Sequence, residues 1–90
     1  MRSGYKQRAP EWAGRIRSLR ERLQLSQTGL ADKLGVSAMA VSRWERGVNE
    51  PPADGYITLG KLAGKQGCWY FWGRAGLSKA ELTAHMDGRE

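Results

Sequence analysis

Residues 26–47 read SQTGLADKLGVSAMAVSRWERG, and this stretch decides the fold. Ser26 and Ser37 each stand where a hydroxyl can cap the start of a helix, so we expect one helix to begin just after each serine. Gly35 is placed to end the first of these helices in the left-handed conformation. The stretch therefore predicts two short helices joined by a tight turn, with the second helix stopping at Gly47.

The wedge between these two helices needs apolar side chains and one small residue. Ala31 is small where the helices must cross closely. The apolar positions expected to fill the wedge are Leu30, Leu34, Val36, Val41 and Trp44. A short helical hairpin with these features is commoner as plain architecture than as a DNA reader, so the hairpin alone leaves both interpretations open.

The segments on either side of the hairpin also predict helices. Before it, Pro10 suits the first turn of a helix that ends near Gln24. The inner face of that helix is expected to carry Trp12, Ile16, Leu19 and Leu23. Arg15, Arg17 and Arg22 are left mostly on its other faces.

Three more helices are predicted after the hairpin. The first carries Tyr56, Leu59 and Leu62, and the second is a well-buried helix through the aromatic run 68–72 that ends near Gly76. The last begins at the capping box of Ser78 and Glu81, with Leu77 and Leu82 as a hydrophobic staple. We therefore predict an all-α bundle of five or six short helices that contains a helix-turn-helix unit.

The charge balance favours a polyanionic partner. The 90 residues include 15 Lys and Arg against 9 Asp and Glu, which gives a net charge of +6 and a pI near 10.0. Much of the excess lies before residue 23, in a predicted flexible basic arm (residues 1–9) and the helix that follows it. Nucleic acid and an acidic membrane surface both fit this charge, and so does a basic surface that simply faces water.

Several other classes of function find no support in the residues. The single cysteine, Cys68, excludes an internal disulfide and has no neighbours at metal-ligand spacing. His85 has no partner that would make a catalytic or metal site. No stretch approaches the length of a membrane span. We expect a non-enzymatic, cytoplasmic, nucleoid-associated protein that uses no cofactor or metal and binds no membrane.

Four segments of the chain together resemble a known family. They read IRSLR at 16–20, LSQ at 25–27, LADKLGVS at 30–37 and VSRWERG at 41–47. In residue type and spacing they resemble the Cro/CI-type helix-turn-helix domain of phage repressors and many bacterial regulators, over about residues 12–63. The resemblance implies a lambda-repressor-like bundle and a sequence-specific transcriptional repressor. It also implies that the helix at residues 38–46 reads the major groove of double-stranded DNA.

The resemblance carries roles onto particular positions. Gln27 would hold a phosphate, and Arg20 and Glu45 would form a partly buried ion pair between the first and third helices. The residues matching base contacts are Ser37, Ala38, Met39, Ser42 and Arg43. Arg46 to Asn49 would meet backbone phosphates. We expect a homodimer that spans two half-sites about one helical turn apart.

Base readout at the start of the reading helix departs from the usual pattern. Ala38 and Met39 stand where long amide side chains are common, so they can pack on thymine methyl groups but cannot hydrogen-bond bases. Arg43 is then the strongest candidate for a bidentate contact to guanine, and a phosphate contact is its alternative. Glu50 puts negative charge near an expected phosphate.

The predicted organisation is a basic arm over residues 1–9, a DNA-binding domain over 10–64 and an aromatic helical extension over 65–90. Four consecutive aromatic residues cannot all face one core on a helix, so part of the run is expected to be exposed. The run consists of Trp69, Tyr70, Phe71 and Trp72. It could be core, a dimer contact or a site for a protein partner. An antitoxin-like or adaptor module and an RNA-binding domain therefore remain alternative functions.

Overall fold

A computed structural model describes residues 9–78, which contain five α-helices and no strand. The predicted all-α class is thus confirmed for this part of the chain. The predicted helix from the capping box at Ser78 and nearly all of the basic arm lie outside the described residues. None of the described helices is long and apolar enough to cross a membrane. The described residues divide into two compact units, residues 9–50 and residues 51–78.

The first unit holds three helices: α1 (Glu11–Arg22), α2 (Gln27–Leu34) and α3 (Ala38–Glu45). Both predicted serine caps are formed. The Ser26 hydroxyl accepts a hydrogen bond from the backbone N–H of Gly29, and the Ser37 hydroxyl accepts one from Ala40. Each cap satisfies one of the N–H groups that the first turn of a helix leaves without an intrahelical partner.

Two glycines shape the turns of this unit. Gly35 ends α2 in the left-handed conformation at φ 71°, as the sequence predicts. Gly47 follows α3 at φ 76°, and a Cβ atom at this position would lie 2.6 Å from Cδ of Pro10. The chain can therefore leave α3 close to the start of α1 because residue 47 has no side chain.

The buried face of the first unit joins its three helices. α2 packs against α3, and α1 also contacts α3. The buried apolar side chains are Ala13, Ile16, Leu19, Leu30, Ala31, Val41 and Trp44. Leu34 and Val36, which were expected to fill the wedge, are only half-buried because they lie at its open end, beside the turn at Gly35.

The second unit holds α4 (Ala53–Ala63), a 3₁₀ turn (Gly64–Gln66) and α5 (Cys68–Arg74). Its buried residues are Pro51, Tyr56, Leu59, Gly60, Ala63, Cys68 and Phe71. The aromatic helix is less buried than the sequence predicted. Trp69, Tyr70 and Trp72 are half-buried, because successive helical side chains point in different directions and only one face of α5 can be inside. Leu62, expected on the inner face of α4, is half-buried as well.

Gly60 and Trp72 lie against each other where α4 packs on α5. The Trp72 indole N–H donates a hydrogen bond to the backbone carbonyl of Ile57 at 3.0 Å. A Cβ atom on Gly60 would lie 2.2 Å from the indole nitrogen, which no real side chain could tolerate. Gly60, which weakens the helix pattern in the sequence, is thus the residue that lets Trp72 lie against the backbone of α4.

Candidate nucleic-acid interface

The outward face of α3 carries most of the residues that the sequence nominates for base contacts. The buried side chains of α3 are Val41, Trp44 and Glu45. Because successive side chains point about 100° apart, the opposite face carries Met39, Ser42, Arg43 and Arg46. Met39 is 55% exposed, although it is a large apolar side chain. The one acidic residue of α3 is turned inward, so its outward face combines two arginines with an exposed methionine.

The two ends of this face differ from its centre. At the start, the Ser37 hydroxyl is occupied by its cap to Ala40, and the Ala38 side chain is half-buried. Beyond the end, Asn49 is exposed after the turn at Gly47. Val48 beside it is 61% exposed and was not singled out as a contact by itself, since an isolated valine in a loop gives no sequence signal.

The two outward arginines have different surroundings. Arg46 donates from Nε to the hydroxyl of Ser42 at 3.2 Å, one helical turn earlier. Within residues 9–78, the Arg43 side chain makes no hydrogen bond or ion pair. The Arg46 guanidinium is therefore oriented along α3 in the absence of a ligand, whereas the Arg43 guanidinium is not.

Glu45 is a buried carboxylate that ties α3 to the other two helices of the unit. The side chain is fully buried, and Arg20 of α1 approaches it with Nε 2.6 Å from Oε2 and Nη2 3.0 Å from Oε1. This is the bidentate arrangement that favours arginine at buried carboxylates. The structure contains the ion pair that the resemblance implies.

Two further groups complete this network. Gln27, the first residue of α2, donates from Nε2 to Oε1 of Glu45 at 3.1 Å, and Arg17 lies 3.5 Å from the same oxygen. Arg20 also donates from Nη1 to the carbonyl of Leu25 in the loop between α1 and α2. Helix α3 is therefore held by side chains from both neighbouring helices.

The network changes the proton affinity of its members. Burial raises the pKa of the Glu45 carboxyl, but hydrogen bonds from Arg20 and Gln27 and the charges of Arg20 and Arg17 outweigh it. The pKa of Glu45 is consequently below its ordinary value. The pKa of Arg20 is raised, first by its hydrogen bond to Glu45. Both groups remain charged at neutral pH.

Sequence reasoning missed part of this network. It assigned Arg17 to an outer face of α1, although its guanidinium reaches Glu45 while the side chain stays 52% exposed. It gave Gln27 a phosphate contact only, although one amide hydrogen is directed to Glu45. The spacing of Arg17 and Arg20 by three residues, which places both on one side of a helix, is the signal that could have found the first contact.

The aromatic run of the second unit packs partly on itself. Trp69 and Trp72 meet edge to face with ring centroids 4.9 Å apart, and Tyr70 and Phe71 do so at 5.4 Å. Phe71 also stacks on Tyr56 of α4. The run is thus neither wholly core nor wholly surface.

Comparison with known proteins gives one family and two relatives. Residues 16–54 match the family model described as helix-turn-helix. The chain is 40% identical over 47 residues to repressor protein C2 of Salmonella phage P22, which covers 52% of this chain and 22% of that protein. It is 37% identical over 59 residues to the HTH-type transcriptional regulator DicA of Escherichia coli (strain K12), which covers 66% of this chain and 44% of DicA.

These matches have a limited extent. The chain spans less than half the length of either relative. No solved structure matches the chain significantly. Together with the five helices, the family match confirms the predicted lambda-repressor-like fold class.

Proposed function

We propose that this chain binds double-stranded DNA and regulates transcription as a repressor; its match to the helix-turn-helix family model over residues 16–54 and its similarity to two bacterial and phage regulators support this. The observation that carries the proposal is the outward face of α3, which has two exposed arginines, an exposed methionine and no acid. In this mechanism α3 enters the major groove, basic side chains hold phosphates, and occupancy of an operator blocks transcription. Such a regulator would act at the nucleoid.

Base contacts are proposed for the exposed part of this face. Met39 would pack against a thymine methyl group, with Ala38 contributing as far as its half-buried side chain allows. Arg43 has no partner among residues 9–78, so its guanidinium is available for a base or a phosphate. Ser37, Gln27 and Asn49 would meet the backbone around the reading helix, with Gln27 using the amide hydrogen that Glu45 does not engage.

Selection of bound duplexes from a random pool, followed by titrations, tests sequence-specific binding directly. We expect a preferred site, and we expect Arg43→Ala to lose about 1–3 kcal/mol on it while relaxing the preference at one position. Lys61→Ala, which removes one exposed charge from α4, is the matched control and should change affinity little. If Arg43→Ala weakens preferred and scrambled duplexes equally, Arg43 holds a phosphate. A pool that yields no preferred sequence would contradict the specific-binding proposal.

The same titrations separate the proposed function from its alternatives. Duplex RNA and single strands should compete poorly with duplex DNA. Better competition by either would favour an RNA-binding domain. Purification with a stoichiometric protein partner would instead favour an antitoxin-like or adaptor role.

We also propose that the DNA-bound form is a homodimer, because one such domain covers only a few base pairs. Half-sites would lie about 34–36 Å apart, one turn of the duplex. The half-buried rings of Trp69, Tyr70 and Trp72, with Leu77 at 36% exposure, support α5 as the dimer surface. Analytical ultracentrifugation should show dimers on DNA, and a strict monomer with and without DNA would reject this assembly.

A further inference from the structure

We propose that Ser42 and Arg46 act as one unit that reads a guanine base in the major groove. This inference rests on the proposed function and deepens it. Arg46 matches a position that the resemblance gives to backbone phosphates. The contact between its guanidinium and Ser42 points instead to base readout.

The direction of the Arg46 side chain favours base readout. Arg46 is the residue that closes α3, and the carboxyl end of a recognition helix commonly leaves the groove. Its side chain turns back, however, since Nε lies 3.2 Å from the Ser42 hydroxyl one turn earlier. Helical side chains lean toward the amino end of their helix. The Arg46 guanidinium therefore lies over the same outward stripe as Met39 and Ser42, where base edges would lie.

The free N–H donors of Arg46 also suit a guanine base. A guanidinium has five N–H donors, and the bond to Ser42 uses the single one on Nε. The four N–H groups on the two terminal nitrogens remain, and they form a fork that matches O6 and N7 of guanine. Because Arg46 is exposed, nothing in residues 9–78 encloses that fork.

The bond to Ser42 also lowers the conformational entropy that Arg46 would lose on binding. An arginine loses considerable rotamer freedom when it binds, and a side chain held in place beforehand loses less. Arg43 has no such support among the described residues, whereas Arg46 does. The hydroxyl of Ser42 thus acts as a positioning group. Since its oxygen accepts from Arg46, its own proton remains free to donate to a neighbouring acceptor on the DNA.

The test uses the full chain and selection of duplexes from a random pool, with Arg46→Lys as the decisive variant. Lysine keeps the positive charge but lacks the fork. We expect Arg46→Lys to lose about 5- to 150-fold of discrimination at one guanine. The salt dependence of binding should stay unchanged, because the number of phosphate charges neutralised is the same. Arg15→Lys, which makes the same exchange at an exposed position of α1 outside the proposed interface, is the matched control and should leave preference at that guanine intact.

Ser42→Ala tests the coupling between the two residues. Ser42→Ala should weaken discrimination at the same guanine by about 2- to 10-fold, because the Arg46 side chain would then lose more conformational entropy on binding. In the Arg46→Lys background it should have no further effect at that base. Melting curves of each variant establish that the fold is retained.

The possible results separate the inference from the proposed function. If the parent selects a sequence and Arg46→Lys selects the same one, Arg46 is a phosphate ligand and the inference is wrong, while the proposed function stands. If Arg46→Lys changes the preference but Ser42→Ala does not, the joint action of the pair is wrong. A parent that selects no sequence overturns both the proposed function and this inference.

Discussion

In residues 9–50 the buried carboxylate of Glu45 links α3 to α1 and α2. In residues 51–78, by contrast, the absence of a side chain at Gly60 lets the Trp72 indole of α5 reach the backbone of α4. The first arrangement depends on charge and hydrogen bonds around Glu45. The second depends on the space at Gly60 and on one hydrogen bond from Trp72. Each unit is therefore expected to fail in a different way when its key contact is changed.

The difference bears on function as well as stability. The Glu45 network fixes α3, the helix proposed to read DNA, against both α1 and α2. A polar network of this kind has one geometry in which all its members are satisfied. The Gly60 contact requires only shape. We infer that the reading helix is held by the more directional of the two arrangements, which suits a surface whose side chains must meet base edges.

The largest expected effect is the loss of the buried ion pair. Arg20→Ala leaves the Glu45 carboxylate buried with only Gln27 and the more distant Arg17. Removing one partner of a buried pair costs about 3–5 kcal/mol, and we expect about 3 kcal/mol because Arg17 compensates in part. Urea unfolding followed by circular dichroism measures this free energy.

Arg15→Ala is the control for that experiment. Arg15 forms an ion pair with Glu11 in the same helix, but both side chains are at least half exposed. Exposed pairs of this type contribute about 0.5 kcal/mol or less. Equal losses for Arg15→Ala and Arg20→Ala would show that burial of Glu45 does not matter to the first unit.

A slightly smaller effect is expected from filling the space at Gly60. In Gly60→Ala the new methyl group would lie 2.2 Å from the indole nitrogen, so Trp72 must move and lose its bond to Ile57. Overpacking and an unsatisfied indole N–H together should cost about 2 kcal/mol. Thermal unfolding and the indole N–H resonance of Trp72 report the two consequences.

Two variants test the cause of that loss. Gly73→Ala changes a helical glycine of α5 that has no neighbour within 4 Å of its Cβ position, and it should stabilise by about 0.5–1 kcal/mol. Trp72→Leu combined with Gly60→Ala should cost less than the sum of the single changes, because the clash is relieved. Strict additivity would mean that residues 60 and 72 are independent.

Local contacts could be predicted from the sequence, whereas the contact between Gly60 and Trp72 could not. Ser26, Gly35 and Ser37 are local signals, and the structure confirms the caps and turn expected from them. Gly60 gives no local signal of its role, because its partner Trp72 lies on another helix and no local pattern links them.

In the interface, the direction of side chains was the part that the sequence could not supply. The resemblance nominated Met39 and Arg43 as base contacts, and both side chains are exposed, as helical periodicity allows once Val41 and Trp44 are inside. The bond between Arg46 and Ser42 and the bond between Gln27 and Glu45 depend on rotamers. Rotamers are set by tertiary neighbours rather than by sequence spacing.

Acid should weaken the first unit selectively. The pKa of Glu45 is lowered in the folded state, so its contribution is complete above the unfolded value of about 4.3 and is lost as pH falls through the folded value. The stability difference between the parent and Arg20→Ala should therefore be largest at pH 7 and narrow below about pH 4. The difference between the parent and Gly60→Ala involves no ionisable group and should stay constant. Urea titrations between pH 2 and pH 7 measure both differences, and parallel curves for Arg20→Ala would contradict the assignment.

The smallest expected effect concerns the end of α1, where the first unit carries a local strain that the second unit lacks among its described residues. Gln24 has φ 59°, the one left-handed residue other than glycine in residues 9–78. Its N–H bonds to the carbonyl of Glu21, and the N–H of Leu25 bonds to that of Arg20, the Schellman pattern that glycine favours. The left-handed conformation costs a side-chain-bearing residue about 1–2 kcal/mol, and glycine gives back about 0.4–1 kcal/mol through the freedom of the unfolded chain. Gln24→Gly should therefore stabilise by about 0.5–1 kcal/mol in urea unfolding.

Gly35→Ala is the reverse control, because it puts a side chain on a left-handed residue. Its Cβ would meet nothing within 4 Å, so it should destabilise through backbone conformation alone. A loss of stability in Gln24→Gly would mean that the Gln24 side chain contributes more than its backbone strain costs.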